Sequence, residues 1–217
     1  MKRINLFCGH YGSGKTNIAV NFAFKLKAMG RAVAIADLDI VNPYFRSKDS
    51  EAELEAAGIE MIALPFANTN VDLPSLPSNV YGLVQQKDRS VVMDSGGDDR
   101  GAYALGRFAP AIREENDFDL FYVVNFYRPL TQTATDAYEI LREIEAAAGL
   151  PFTAVVNNSN LGAETTPADV SATFGKTEEL CERCGLPLAF TSAEETVARG
   201  LPGENVFPLR LQKKTYL

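Results

Sequence analysis

The sequence has little cysteine and no long apolar run. Three cysteines among 217 residues cannot form a disulfide scaffold, and their odd number suits a reducing compartment. No apolar run approaches the roughly 18 residues of a membrane helix. The first apolar stretch, residues 4–8, is shorter than the roughly 7–15 residues of a signal-peptide core. We therefore expect a cytoplasmic protein that is not bound to a membrane.

The chain is acidic, with 28 acidic residues against 21 basic ones and a formal net charge of −7. This balance argues against a broad surface for nucleic acids, so no nucleic-acid partner is expected. The hydrophobic share of 46% and the charged share of 23% exclude a wholly disordered chain. A chain of this length buries enough surface for one core, and we predict a single domain over residues 1–217.

Short apolar runs alternate with segments of helical periodicity. Strands are predicted at residues 4–8, 32–35, 61–64, 90–93, 120–124, 152–156 and 188–191. Helices are predicted at residues 15–30, 49–57, 102–115, 131–148 and 167–184. Because the strands are continuously apolar, the pattern predicts an α/β fold: a three-layer, doubly wound, mostly parallel sheet covered by helices on both faces.

Residues 9–16 read Gly-His-Tyr-Gly-Ser-Gly-Lys-Thr and match the phosphate-loop pattern G-x-x-x-x-G-K-[ST] between a predicted strand and a predicted helix. The glycines let backbone N–H groups surround phosphates, and the helix adds its positive dipole end. Lys15 is expected to reach the β- and γ-phosphates in a catalytic role, and Thr16 to bind Mg²⁺. The predicted nucleotide contacts are Gly9, His10, Tyr11, Gly12, Ser13, Gly14, Lys15, Thr16 and Asn17.

A second motif, Asp94-Ser95-Gly96-Gly97, follows the apolar strand at 90–93. Asp94 is predicted to hold a water of the Mg²⁺ shell, and Gly97 to offer its N–H to the γ-phosphate. The alternative is a plain turn.

Asp37 and Asp39 lie at the end of the second strand, where the carboxyl ends of parallel strands border the ligand crevice. Asp39 is predicted to orient the attacking water beside the metal, with Asp37 in support. The alternative is that one of them caps the turn at Asn42-Pro43.

These motifs, together with Asn157-Asn158 after a strand, resemble the MinD/ParA/CobQ-like P-loop ATPases of the signal-recognition/MinD class, over about residues 3 to 195. The resemblance implies a P-loop NTPase fold, ATP and Mg²⁺ binding, slow hydrolysis, and nucleotide-dependent dimerisation or partner binding. It also implies that Asp39 is the hydrolysis-promoting switch residue and Asp94 the Mg²⁺-shell acid.

The sequence departs from this family at one loop position. Many members carry a signature lysine that reaches the phosphate of a dimer partner, whereas this chain has His10 there, followed by the bulky Tyr11. Histidine is largely neutral near pH 7 and cannot replace that charge. A nucleotide-dependent homodimer is therefore expected to be weaker than in relatives with the lysine, or to use other surfaces.

Asn157 is the predicted base-reading residue. GTPases follow this asparagine with an aspartate three positions later, but here the residue is Asn160, so adenine is favoured over guanine. The alternative is that Asn157 and Asn158 only satisfy a loop's backbone. Cys181 and Cys184 have the spacing of half a metal site, although core packing on a helix is favoured.

The function predicted from these features is an Mg-ATP-dependent switch that controls an unidentified protein partner, a cargo or a metal-insertion step. The alternative is an ATP-dependent biosynthetic enzyme similar to dethiobiotin synthetase or the cobyrinic-acid amidases, which activate a substrate carboxylate. Such an enzyme needs cations beside the γ-phosphate, for which Arg46 and Arg100 are candidates. A nucleotide-binding protein without turnover is the third hypothesis, if Asp39 is not placed for catalysis.

Overall fold

The computed structural model describes residues 1–38, 50–63, 78–97, 99–203 and 205–211, with backbone only at residues 63, 78–81, 99 and 100. Eight strands lie in this part of the chain: β1 (Ile4–Cys8), β2 (Val33–Asp37), β3 (Glu60–Ala63), β4 (Ser90–Asp94), β5 (Phe118–Val124), β6 (Ala154–Asn157), β7 (Leu188–Glu194) and β8 (Val206–Leu209). The α-helices are α1 (Lys15–Ala28), α2 (Glu51–Ala56), α3 (Ser78–Gln85), α4 (Asp99–Gly106), α5 (Ala109–Glu115), α6 (Ala134–Ala148), α7 (Pro167–Ser171), α8 (Phe174–Cys184) and α9 (Glu195–Ala198).

The strands form one sheet in the order β3-β2-β4-β1-β5-β6-β7-β8, and every described neighbour pair is parallel. This confirms the predicted fold class. Strands β2 to β4 lie on one side of β1 and strands β5 to β8 on the other, so the strand order reverses at β1. In open parallel sheets, ligands bind beyond the carboxyl ends of the strands at such a reversal. We therefore expect the ligand site at the segment that follows Cys8.

The side chains of β1 alternate between two cores, one on each face of the sheet. Phe7 packs on the α1 face, where its ring lies 5.2 Å from Phe22 and 5.0 Å from Phe121. Leu6 and Cys8 belong to the larger cluster on the opposite face. Because burial on both faces fixes the register of β1, the loop that follows begins at a defined position at the carboxyl edge of the sheet.

Two predicted helices are each divided in the structure. The helix predicted at 102–115 is α4 followed by α5, because Pro110 is tolerated only in the first turn of a helix and so starts a new one. The helix predicted at 167–184 is α7 followed by α8, with a turn at Ala172 and Thr173. There the Thr173 hydroxyl donates to the carbonyl of Val170 at 2.7 Å, which competes with helix continuation.

Arg3 joins the start of β1 to α3 and α5. Its buried guanidinium, 9% exposed, donates to the carbonyls of Val84 at 2.6 Å and Gln86 at 2.9 Å. It also donates to the Glu115 carboxylate at 2.7 Å, and this hydrogen bond lowers the pKa of that carboxyl. Removing one partner of a buried ion pair leaves the other charge uncompensated, so this contact is a candidate for a large stability effect.

Arg3→Ala is expected to lower the free energy of unfolding at pH 7 by about 3 kcal/mol, measured by urea denaturation. The pair's contribution is present above about pH 4.3, the unfolded value for glutamate, and is lost as the pH falls through the lowered pKa of Glu115. The difference between the two proteins should therefore shrink at pH 3. Arg183→Ala, which breaks the exposed pair with Glu179, is the control and should cost about 0.5 kcal/mol or less. A cost below 1 kcal/mol for Arg3→Ala would contradict this account.

Candidate functional site

The loop at residues 9–16 leaves β1 and packs directly on the neighbouring strand β5. A Cβ atom on Gly9 would lie 2.2 Å from the carbonyl oxygen of Val123, so only glycine fits there. Gly12 and Gly14 have φ angles of +76° and +83°, in the left-handed region that favours glycine. The Ser13 N–H donates to the carbonyl of His10 at 3.0 Å and closes the turn. Tertiary packing and backbone conformation therefore explain three glycines of the motif.

Lys15 and Thr16 form the first turn of α1 and are only 4% and 6% exposed. The first turn of this 14-residue helix carries no acidic side chain. Its N–H groups and its dipole therefore favour an anion in front of the loop. The buried Ser13 hydroxyl oxygen has no hydrogen-bond partner within the described part of the chain. An anion that accepts hydrogen bonds fits this set of donors.

The second motif meets the loop in space. Asp94 ends β4, pairs in register with Phe7 of β1, and is fully buried. A Cβ atom on Gly97 would lie 1.6 Å from the carbonyl oxygen of Gly9, so the two segments touch backbone to backbone. On the other side of β4, Asp37 of β2 pairs with Asp94. Three predicted segments thus converge at the carboxyl ends of β1, β2 and β4.

The charges at this point also affect the neighbouring thiol of Cys8. Burial raises the pKa of Cys8 to about 12, and among the smaller contributions the positive charge of Lys15 opposes the shift while the negative charge of Asp94 adds to it. The thiol is therefore protonated and acts as a core side chain. Asp94 and Thr16 provide oxygen ligands of the kind that Mg²⁺ prefers, so these two side chains fit this ion.

Asp39, the predicted catalytic residue, lies outside the described residues, as do the turn at Asn42-Pro43 and Arg46. The side chain of Arg100 is likewise outside the described part. Their roles stay predictions.

A pocket of about 410 Å³ opens beside the loop. This volume falls within the range of small-molecule sites. The loop and α1 contribute Gly12, Gly14, Lys15, Thr16 and Asn17, and the segment after β6 contributes Asn158, Ser159, Asn160, Gly162, Ala163 and Thr165. Arg128, Ala193, Glu194, Leu209 and Leu211 complete the wall. The pocket therefore extends from the predicted phosphate site across the carboxyl ends of β6, β7 and β8.

Asn157 does not line this pocket. Its side chain is fully buried, donates to the Thr173 hydroxyl at 2.9 Å, and accepts hydrogen bonds from the N–H and the hydroxyl of Ser159. The neighbouring Asn158 donates to the Ser13 carbonyl at 2.7 Å and accepts from the Ser192 hydroxyl. These contacts support the alternative in which both asparagines hold the backbone, and they do not support base reading by the Asn157 side chain.

Sequence reasoning missed Arg128 and Glu194. Arg128 follows β5, and its Nε donates to the carbonyl of Gly12 at 2.9 Å. Glu194 ends β7 and accepts a hydrogen bond from the N–H of Thr196 at 2.8 Å; its contacts with Thr196 lower the pKa of this carboxyl. Glu194 lies at the carboxyl end of a strand and Arg128 shortly after one, which is the signal that could have identified them.

Cys181 and Cys184 are half-buried against the larger core, as the core-packing interpretation predicts. Burial raises the pKa of Cys181 to about 11.

Within the described ranges, no group of three or more histidine, cysteine, aspartate or glutamate side chains is arranged for a metal ion. Nor does that part of the chain contain a helix that is long and apolar enough to cross a membrane.

The fold is similar to that of FtsY and signal recognition particle proteins of known structure. One is the cell division protein FtsY of Thermotoga maritima (TM-score 0.61, 15% identity, 90% of this chain and 63% of that chain). Others are the chloroplast FtsY of Physcomitrella patens (0.61, 17%, 88% and 58%) and the 54-kDa signal recognition particle protein of Aeropyrum pernix in complex with GDP (0.56, 16%, 88% and 41%). This chain spans less than two thirds of the length of each. At these identities the likeness shows the fold alone.

A comparison with curated proteins found no match. The sequence profile of the CobQ/CobB/MinD/ParA nucleotide-binding domain matches residues 9–165, which begin at the first glycine of the loop and extend past Asn157. The match covers most of the chain and includes the loop, Asp94, Gly97 and Arg128. The chain therefore belongs to the CobQ/CobB/MinD/ParA family of P-loop nucleotide-binding proteins.

Proposed function

We propose that the protein binds Mg-ATP, hydrolyses it slowly, and uses the change of nucleotide to control a protein partner, a cargo or a metal-insertion step. The observation that carries this proposal is the meeting of the glycine loop with Gly97 beside the buried Asp94. A change in the terminal phosphate would act on the Gly9–Gly97 contact first. The segment after β4 would then transmit that change to the surface.

The roles follow from the chemistry of each group. Lys15 and the N–H groups of the loop bind the phosphates, and Thr16 and Asp94 hold Mg²⁺, Asp94 through water. Mg²⁺ neutralises charge on the phosphate oxygens when it is bound. Gly97 offers its N–H to the γ-phosphate, and Asp39 orients the attacking water.

ATP is proposed over GTP because the position that reads guanine in GTPases holds the amide Asn160. Its side chain accepts from the N–H of Gly162 at 3.1 Å and donates to the carbonyl of Asn158 at 2.7 Å, so both ends are used within the loop.

Glu194 is the acidic residue among those that line the pocket. Its carboxylate can accept from a ribose hydroxyl or from guanine N–H groups, and a direct comparison of the two nucleotides is therefore part of the test.

A nucleotide-dependent homodimer is proposed as one mode of action, weaker than in relatives that carry the signature lysine. Tyr11 is 60% exposed at the tip of the loop, and the ring of His10 is half-exposed, with Nδ1 3.1 Å from the carbonyl oxygen of Tyr11. A bulky phenol ring and an imidazole, in place of a lysine, therefore occupy the surface that a partner loop would approach.

The wild-type protein is expected to hydrolyse Mg-ATP slowly, and to hydrolyse Mg-GTP more slowly still. Asp39→Ala is expected to reduce the turnover of Mg-ATP at least tenfold while Mg-ATP binding persists. Phosphate release measured with both nucleotides, alongside calorimetry, checks this. Asp88→Ala, which removes an exposed carboxylate of the pair with Arg89, is the matched control and should leave turnover unchanged. Unchanged turnover in Asp39→Ala would exclude the catalytic role, and faster GTP turnover would exclude the assigned nucleotide.

A further inference from the structure

We propose that Arg128 binds the phosphate chain of the nucleotide and supplies, from within the same chain, the second positive charge that the loop lacks at position 10. This inference rests on the nucleotide binding proposed above. It concerns a residue that lies outside the phosphate-loop and D-x-x-G motifs, in the segment after β5.

The backbone of Arg128 is held on both sides. Its N–H donates to the carbonyl of Asn125 at 3.1 Å, and its own carbonyl accepts from the N–H of Thr131 at 3.0 Å. Pro129 follows directly and starts a short 3-10 turn, Pro129–Thr131, which limits the conformations of this segment. The side chain therefore leaves the sheet from a defined point beside the loop.

The side chain lies against the loop at Gly12. A Cβ atom on Gly12 would come within 3.2 Å of Arg128 Nε and 3.4 Å of Cδ, so the glycine leaves room for the arginine stem. The Nε–H donates to the Gly12 carbonyl at 2.9 Å. Within the described residues, neither terminal nitrogen of the guanidinium has a hydrogen-bond acceptor, and no carboxylate lies within 4 Å of it. One N–H thus anchors the group, and the terminal N–H donors remain for a ligand.

The charge of the pocket points to the same ligand. Lys15 and Arg128 are the basic residues among those that line it, and Arg128 contacts Gly12 of the loop that Lys15 follows. A guanidinium matches two phosphate oxygens at once and keeps its charge at every physiological pH. Anchoring one N–H in advance reduces the conformational entropy that binding must overcome. Arg128 is thereby prepared for a polyphosphate rather than for a neutral ligand.

Two variants separate a phosphate contact from a role as a clamp on the loop. Arg128→Gln removes the charge but places an amide nitrogen where Nε stood, so the hydrogen bond to the Gly12 carbonyl can persist. Arg128→Lys keeps the charge and replaces Nε by a carbon atom, so that hydrogen bond is lost. Arg183→Gln, on the exposed surface of α8, removes the same charge elsewhere and is the matched control.

Calorimetric titration with Mg-ATP should show affinity reduced about tenfold or more in Arg128→Gln. The reduction should be smaller in Arg128→Lys than in Arg128→Gln. Affinity should be unchanged in Arg183→Gln. The salt dependence of the affinity should also become shallower in Arg128→Gln alone, because one counter-charge is gone. Urea unfolding of each variant checks that the fold is retained.

The opposite order, with Arg128→Gln like the wild type and Arg128→Lys weak, would show a clamp and overturn the inference. Wild-type affinity in both variants would overturn it as well, while nucleotide binding itself would stand. A wild-type protein that binds neither ATP nor GTP would overturn the proposed function and this inference together.

Discussion

Lys15→Ala is expected to weaken Mg-ATP binding by at least tenfold. Lys15 is buried at the start of α1 and lines the pocket beside the loop. A hydrogen bond to a charged group contributes about 1.5–3 kcal/mol, which corresponds to a factor of about 10–150 in affinity. Titration calorimetry of the purified variant measures the change directly.

Lys25→Ala is the matched control for this experiment. Lys25 lies in the last turn of the same helix, where its ammonium group is 4.9 Å from the centre of the Phe207 ring. Its removal eliminates the same charge without touching the loop, so nucleotide affinity should be unchanged. Equal affinities of Lys15→Ala and wild type would show that the loop does not bind phosphate.

Gly97→Ala is expected to disrupt nucleotide binding and to destabilise the fold. The added Cβ would lie 1.6 Å from the carbonyl oxygen of Gly9. Because Cβ is bonded to the backbone and the carbonyl oxygen is part of it, no side-chain rotation relieves the overlap. Overpacking of this kind costs about 1–3 kcal/mol and occasionally more. Because Gly9 begins the loop, we also expect Mg-ATP affinity to fall at least tenfold. Urea denaturation and calorimetry measure the two effects separately.

Gly175→Ala provides the comparison, since the same methyl group would meet no atom within 4 Å in α8. There the substitution should be neutral or should stabilise the helix by about 0.5–1 kcal/mol. If Gly97→Ala retained both wild-type affinity and wild-type stability, the contact between the two segments could not be the link between nucleotide and surface.

The strands and the phosphate loop were predictable from the sequence because their signals are local. Continuous apolar runs such as residues 4–8 and 90–93 predicted buried parallel strands, and the structure confirms them as Ile4–Cys8 and Ser90–Asp94. Strand β8 was missed because Pro208 argues against a strand. Proline is tolerated there because, among the described strands, β8 lies at the edge of the sheet and pairs with β7 alone. Helix α6 begins three residues after its predicted start, because the capping box of Thr133 and Asp136 sets it at Ala134.

The roles assigned to Lys15, Thr16, Asp94 and Gly97 rest on motifs that the structure brings to one place, and they await the measurements above. The interpretation of Asn157 shows the limit of such reasoning. Its position after β6 predicted a contact with the base, but that position does not reveal that Thr173 and Ser159 compete for the same side chain. A side chain's partner is a property of elements that are far apart in the sequence.

The sequence by itself determined the fold class, the seven strands from β1 to β7, and the position of the phosphate-loop motif. These follow from periodicity and from a motif whose residues are contiguous, so every atom needed for the inference is nearby in the chain. Only the tertiary structure decided that Gly97 rests on Gly9, that Asn158 holds Ser13, and that Arg128 lies against Gly12. Each of these contacts joins residues separated by about ninety positions or more, and the parallel pairing of β1 with β4 and β5 brings two of them together. Local sequence does not encode such distances, because they depend on how the strands are ordered in the sheet.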